Sequence, residues 1–156
     1  MEIVEEVHNK LLKEKKRLAV AESCTGGLLL ATLTELPFAS EYLLGGVVSY
    51  SNELKNKILH VSEQTLKSFG AVSKEVAIEM CEGLFEVTSA ELAISVTGIL
   101  GPSGGTLEKP IGTVWMAIGR RDQVIESRLI PLAPNHTRRE YRDFVLKYLL
   151  EALWNL

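Results

Sequence analysis

The chain is poor in cysteine, in histidine and in any excess of positive charge, and each shortage excludes a class of function. Among its 156 residues there are two cysteines, Cys24 and Cys81. They form no Cys-x-x-Cys pair and are too few for a secreted disulfide framework, so a reducing, cytoplasmic setting is expected. The three histidines, His8, His60 and His136, are scattered, and no His/Cys/Asp cluster has zinc-like spacing, so no metal is expected. Seventeen Lys and Arg stand against 20 Asp and Glu, a net charge of −3. That balance argues against a protein whose main task is gripping nucleic acid. No apolar run approaches the roughly 18 residues of a membrane span. The start, Met1-Glu-Ile-Val-Glu-Glu, is acidic where a signal peptide is basic.

What remains is a globular composition, 46% hydrophobic and 24% charged, at a length that suits one domain over residues 1–156. Ile3, Val4, Val7, Leu11 and Leu12 predict an amphipathic helix over residues 2–15. A strand is expected at Leu18–Ala21, a Gly-containing turn at Ser23–Gly27 and a helix from Leu28 to Leu36, stopped by Pro37. Gly45–Tyr50 reads as a second strand, followed by short helices at Asn52–Leu59 and Ser62–Phe69. Ser73 is placed to cap a helix running to about Val87, and Leu92–Val96 is a third strand. Thr97–Pro110 reads as a Gly/Pro-rich loop, Thr113–Ile118 and Val124–Ile130 as a hairpin, and Tyr141, Val145, Tyr148, Leu149 and Ala152 as a final helix. Alternating strands and helices with a late hairpin predict a three-layer α/β/α domain with a mixed sheet.

Four segments carry side chains suited to chemistry. In Ala21-Glu-Ser-Cys-Thr-Gly-Gly27 a strand turns into a helix N-terminus, where unpaired N–H groups attract phosphate or a developing oxyanion. Ser23 is a candidate nucleophile there; capping of the helix by Ser23 or Thr25 is the equally good alternative. Cys24 is the rival nucleophile, but no histidine is placed to serve it, and buried inertness fits it better, as it does Cys81. Tyr50 and Lys55 form a phenol–ammonium pair that can share proton transfer; a half-buried tyrosine beside a surface lysine is the plainer reading. The strand before Thr97-Gly-Ile-Leu-Gly-Pro-Ser-Gly-Gly105 suggests a backbone-lined binding loop, against a merely floppy one. Arg138 and Arg142, four apart at the start of the last helix, share a face and can clamp phosphate.

Together these segments, with Gly70-Ala-Val-Ser73, Ser95-Val-Thr-Gly-Ile99 and Lys109-Pro-x-Gly-Thr113, resemble the CinA C-terminal domain family over nearly the whole chain. Its characterised members are nicotinamide-nucleotide amidases. The resemblance implies hydrolysis of the carboxamide of nicotinamide mononucleotide to nicotinate mononucleotide and ammonia, without metal or organic cofactor. It implies Ser23 as nucleophile, with Tyr50 and Lys55 in the proton-transfer network. With no histidine in the matching segments, Tyr50 helped by Lys55 is the base on offer. Substrate contacts are expected from Cys24, Thr25, Gly26 and Gly27, from Thr97, Gly98, Gly101, Gly104 and Gly105, and from Arg138 first and Arg142 second. The sequence departs from the family pattern at Leu100, where an alanine is usual, and at Asn135-His-Thr-Arg138, where Gly-Asp-Arg is usual. The chain is expected to lack the larger N-terminal domain of full-length CinA proteins. Homodimerisation is expected from the resemblance, and the apolar terminal helices could supply surface for it. A non-catalytic partner- or nucleotide-binding module linked to competence or DNA damage is the alternative function.

Overall fold

A computed structural model describes residues 2–156. In chain order the elements are α1 (Glu2–Glu14), β1 (Leu18–Glu22), α2 (Leu28–Leu33), a 3-10 turn (Ala39–Glu41), β2 (Leu43–Val48), α3 (Asn52–Leu59), α4 (Glu63–Phe69), α5 (Lys74–Val87), β3 (Leu92–Gly98), β4 (Val114–Arg120), β5 (Glu126–Leu129) and α6 (Arg138–Trp154). They build one five-stranded sheet in the order β2-β1-β3-β4-β5. The β1 strand runs parallel to β2 and to β3, whereas β4 and β5 are antiparallel additions, so the sheet is mixed as expected.

Strand alternation separates two cores. Leu18 and Val20 of β1 face one side, where Val7 and Leu11 of α1, Leu29 and Leu33 of α2, and Val145 and Leu149 of α6 cover them. Ala19 and Ala21 face the other, with Ala93 and Ala117, under Val76, Met80 and Leu84 of α5. Four alanines on that face leave room for α5 to lie close to the sheet. Both terminal helices therefore spend apolar residues on the core. No helix among the described residues is long and apolar enough to cross a membrane.

Four segments differ most from the sequence reading, each for a local reason. The α2 helix stops at Leu33, short of Leu36, where the Thr34 hydroxyl donates back to the carbonyls of Leu30 and Ala31. The β2 strand spans Leu43–Val48, not Gly45–Tyr50, because Leu43 pairs with Leu18 and Ser51 already caps α3. Thr97 and Gly98 belong to β3, not to the loop, because they pair with Trp115 and Val114. The expected strand at Val124–Ile130 shrinks to Glu126–Leu129, with Val124 almost fully exposed.

The chain runs from β1 to β2 on one side and then crosses to β3 on the other. Such a reversal opens a crevice at the carboxyl ends of the strands. Gly83 of α5 helps to place α3 over that crevice: a Cβ there would collide with the carbonyl of Leu59 at the end of α3. Gly83→Ala is expected to destabilise the fold by about 2 kcal/mol, the usual scale of overpacking, read as a lower urea midpoint. An unchanged midpoint would mean that α3 is not held this tightly.

Candidate active site

The crevice is built on a buried carboxylate. Glu22, the last residue of an otherwise apolar β1, is fully buried. Its Oε2 accepts hydrogen bonds from the Thr25 hydroxyl at 2.5 Å, the Gly27 N–H at 3.1 Å and the Leu29 N–H at 3.2 Å, and its Oε1 accepts from the Leu30 N–H at 2.9 Å. A negative charge at a helix N-terminus is favoured by the helix dipole. Glu22 therefore fills the anion site that the sequence reading left open at the start of α2. Neither Ser23 nor Thr25 caps that helix; its N-cap is Gly27, without a side-chain cap bond. Sequence reasoning missed Glu22, although an acid ending an apolar strand directly before a helix start was a visible signal.

The turn after Glu22 leaves a different pair of donors. The Ser23 N–H donates to the Val96 carbonyl and the Gly26 N–H to the Ser23 carbonyl, both at 3.1 Å. Among the described residues no carbonyl accepts from the N–H groups of Cys24 and Thr25; the Cys24 N–H lies beside its own thiol.

Lys55 lies opposite, on α3. Ser51 caps that helix by accepting from the Leu54 N–H, which fixes its start and turns Lys55 inward. Lys55 is 1% exposed. Its Nζ donates to the Ser23 Oγ at 3.0 Å and to the Ser49 carbonyl at 2.8 Å. No carboxylate forms an ion pair with it among the described residues. Burial is the main influence on this amine and holds its pKa below the ordinary lysine value; the neighbouring Cys24 opposes the shift in part.

Tyr50 is placed differently from the expectation that made it the base for Ser23. It is 64% exposed, and its hydroxyl accepts from Arg138 Nη2 at 3.0 Å, not from Ser23. Arg138 Nη1 donates to the Gly101 carbonyl at 2.7 Å, tying α6 to the Gly-rich loop. Lys109, further along that loop, donates to the Phe69 carbonyl at the end of α4. The loop is thus strapped on both sides.

Ser23, Cys24, Tyr50, Lys55, Thr97, Gly98, Gly104 and Arg138 meet on one cavity of about 270 Å³. Asn52 and Ser103, to which the sequence reading gave no role, also line it. Gly105 lines an adjoining cavity of about 520 Å³, and Leu100 and Arg138 border both. Gly98 lets β3 run close beside the turn, since a Cβ there would stand 3.1 Å from Cys24 Sγ. The Thr97 hydroxyl is already committed to the Ala71 carbonyl at 2.9 Å.

The remaining expected contacts stand behind these cavities. Thr25, Gly26 and Gly27 form the turn without lining either cavity. Gly101 contributes its carbonyl to Arg138 from a left-handed conformation, φ 72°. Arg142 donates to the Thr25 carbonyl at 2.9 Å and lines neither cavity. Burial pushes the Cys24 thiol up to about 12, so it stays protonated at neutral pH.

A buried serine hydroxyl against an uncompensated amine, with two free N–H groups one and two residues on, can do acyl-transfer chemistry. Comparison with known proteins sets this arrangement in a family. Over 124 residues the chain is 54% identical to a CinA-like protein of Thermotoga maritima, covering 79% of this chain and 30% of that protein. It is 43% identical over 151 residues to a CinA-like protein of Leptospira borgpetersenii, covering 96% of this chain and 36% of that one. The chain thus spans about a third of the length of these relatives. The crystal structure of competence/damage inducible protein CihA from Agrobacterium tumefaciens superposes with a TM-score of 0.94 at 34% identity, covering 99% of this chain and 94% of that one. A CinA superfamily protein from Escherichia coli gives 0.91 at 32% identity, with 99% and 88% covered. The model of the CinA C-terminal domain matches residues 1–155, and the chain belongs to that family.

Proposed function

We propose that this domain is a serine amidohydrolase that converts nicotinamide mononucleotide to nicotinate mononucleotide and ammonia. The observation that carries the reading is the 3.0 Å contact between Lys55 Nζ and Ser23 Oγ, buried and without a carboxylate to hold the amine charged. The substrate rests on the resemblance to characterised nicotinamide-nucleotide amidases; the chemistry rests on the geometry.

Lys55, not Tyr50, is the base in this reading. A neutral Lys55 amine takes the Ser23 proton while Oγ attacks the carboxamide carbon. The oxyanion forms against the Cys24 and Thr25 N–H groups, because the Gly26 N–H is committed to the Ser23 carbonyl. The Lys55 ammonium then protonates the departing nitrogen, ammonia leaves, and Lys55 activates the water that hydrolyses the acyl-enzyme. Arg138 at the junction of the two cavities is the group for the phosphate, its planar guanidinium suited to bidentate contact.

The reaction needs Lys55 unprotonated, so kcat/KM is expected to rise with pH and level off below about 10.4, the ordinary lysine value. A rate profile flat from pH 6 to 10, or a rise centred at the ordinary value, would contradict it. Tyr50→Phe removes one acceptor of Arg138 and leaves the Ser23–Lys55 contact alone. The expected result is about tenfold weaker substrate binding, the worth of one hydrogen bond to a charged group, with kcat changed far less. A collapse of kcat at unchanged KM would return the base role to Tyr50.

A further inference from the structure

Arg142 reaches across 117 positions of sequence to donate from Nη2 to the Thr25 carbonyl at 2.9 Å. It borders neither cavity, so it offers no surface to an anion bound in either. The carbonyl it holds is one end of the Thr25–Gly26 peptide. The other end, the Gly26 N–H, donates to the Ser23 carbonyl at 3.1 Å. That carbonyl in turn opens the Ser23–Cys24 peptide, whose far end is the Cys24 N–H, to which no other described residue offers an acceptor. The guanidinium therefore heads a chain of two hydrogen-bonded peptides that ends on a donor beside the nucleophile.

Two physical consequences follow from that chain. Each peptide unit is planar, so holding both carbonyls fixes the direction of the Cys24 N–H. Each hydrogen bond polarises the next, and a cation at the head strengthens the donor at the tail. The anchor itself is rigid. Thr137 and Glu140 form a capping box at the start of α6, and Val145 and Leu149 lock the helix into the core. Arg138, one turn earlier on the same face, meets the cavity instead.

We propose that Arg142 is a positioning residue for acyl transfer at Ser23, aiming and polarising the Cys24 N–H through the Thr25–Gly26 peptide. The proposal rests on the serine-nucleophile reading but not on the identity of the substrate. It is tested with p-nitrophenyl acetate: Ser23 Oγ bonds to the acetyl carbon, the ester C–O bond breaks, p-nitrophenolate leaves and Lys55 takes the serine proton. Acetylation is followed by nitrophenolate release and by mass of the Ser23 peptide in wild type, Arg142→Ala, Arg142→Lys and Arg139→Ala. Arg139 is exposed and outside the chain.

Arg142→Ala is expected to acetylate about 30-fold more slowly, somewhat less than outright loss of an oxyanion donor. Arg142→Lys should regain most of that rate and Arg139→Ala should match wild type. Binding of nicotinate mononucleotide should change less than about twofold in all of them, which general loosening of the site would not allow. If Arg142→Ala fails to fold, the rate of Arg142→Gln, which keeps a donor without the charge, takes its place and is expected to fall between alanine and lysine. Acetylation at the wild-type rate in the alanine or glutamine variant overturns the proposal. So does lost nucleotide binding with an unchanged acetylation rate, which would make Arg142 an anion contact. Arg142-dependent acetylation in a protein that releases no ammonia from nicotinamide mononucleotide supports the proposal and sinks the substrate reading. A wild-type Ser23 that is never acetylated overturns both.

Discussion

Lys55→Met is expected to lower amide hydrolysis by about 10³-fold or more, the upper range for loss of a general base. Methionine keeps most of the buried stem and removes the amine that hydrogen-bonds Ser23 Oγ, so the fold should survive while the hydroxyl stays unactivated. The same variant should be at least as stable as wild type, because an amine held out of water without a counter-charge is there for chemistry at a cost in stability. The sign of the pH dependence is fixed by the lowered pKa. Between the folded-state value and about 10.4 the unfolded chain carries a proton on Lys55 that the folded chain does not. Stability therefore falls as pH drops through that window, and Lys55→Met should abolish that part of the slope. Thermal melts across pH 6–10 with ammonia assays on the same samples check both halves. Full activity in Lys55→Met would remove the lysine from the mechanism.

Ser23→Ala and Cys24→Ala should differ by orders of magnitude although they are neighbours. Ser23→Ala is expected to cost at least about 10⁴-fold in turnover, as nucleophile deletions do, with nucleotide binding retained because Arg138 is untouched. Cys24→Ala keeps the backbone N–H and loses only a thiol whose pKa, near 12, makes it a poor nucleophile, so most activity should remain. A thiol-alkylating reagent at pH 8 should likewise leave activity in place, given that Cys24 is only 5% exposed. The reverse pattern, with Cys24→Ala dead and Ser23→Ala active, would make the enzyme a thiol hydrolase.

The mixed sheet was legible because short apolar runs at Leu18–Ala21 and Leu92–Val96 alternate with segments of helical apolar spacing, and because the late hairpin carries its own turn. The meeting of Ser23, Lys55 and Arg138 was legible too, since they follow β1, follow β2 and begin α6, and an open sheet gathers such ends. What stayed hidden depended on side-chain direction. Lysine five residues after a strand reads as surface, and only the Ser51 cap, which sets where α3 starts, swings Lys55 under Ser23. Tyr50 could not be told from a base until Arg138 was seen to hold its hydroxyl. Arg142 shares a helix face with Arg138, yet one turn of rise takes it from the cavity to the back of the turn. Glu22 carried a signal in its position alone, an acid ending an apolar strand before a helix start; its four partners, three backbone N–H groups and a threonine hydroxyl, leave none in the charge pattern.

The most direct test of the account is ammonia release from nicotinamide mononucleotide by the purified chain, with Ser23→Ala assayed beside it. The account predicts ammonia and nicotinate mononucleotide in equal amounts from the wild type and no detectable ammonia from the variant. A folded wild type that releases none, or a Ser23→Ala protein that releases it at the wild-type rate, would contradict it.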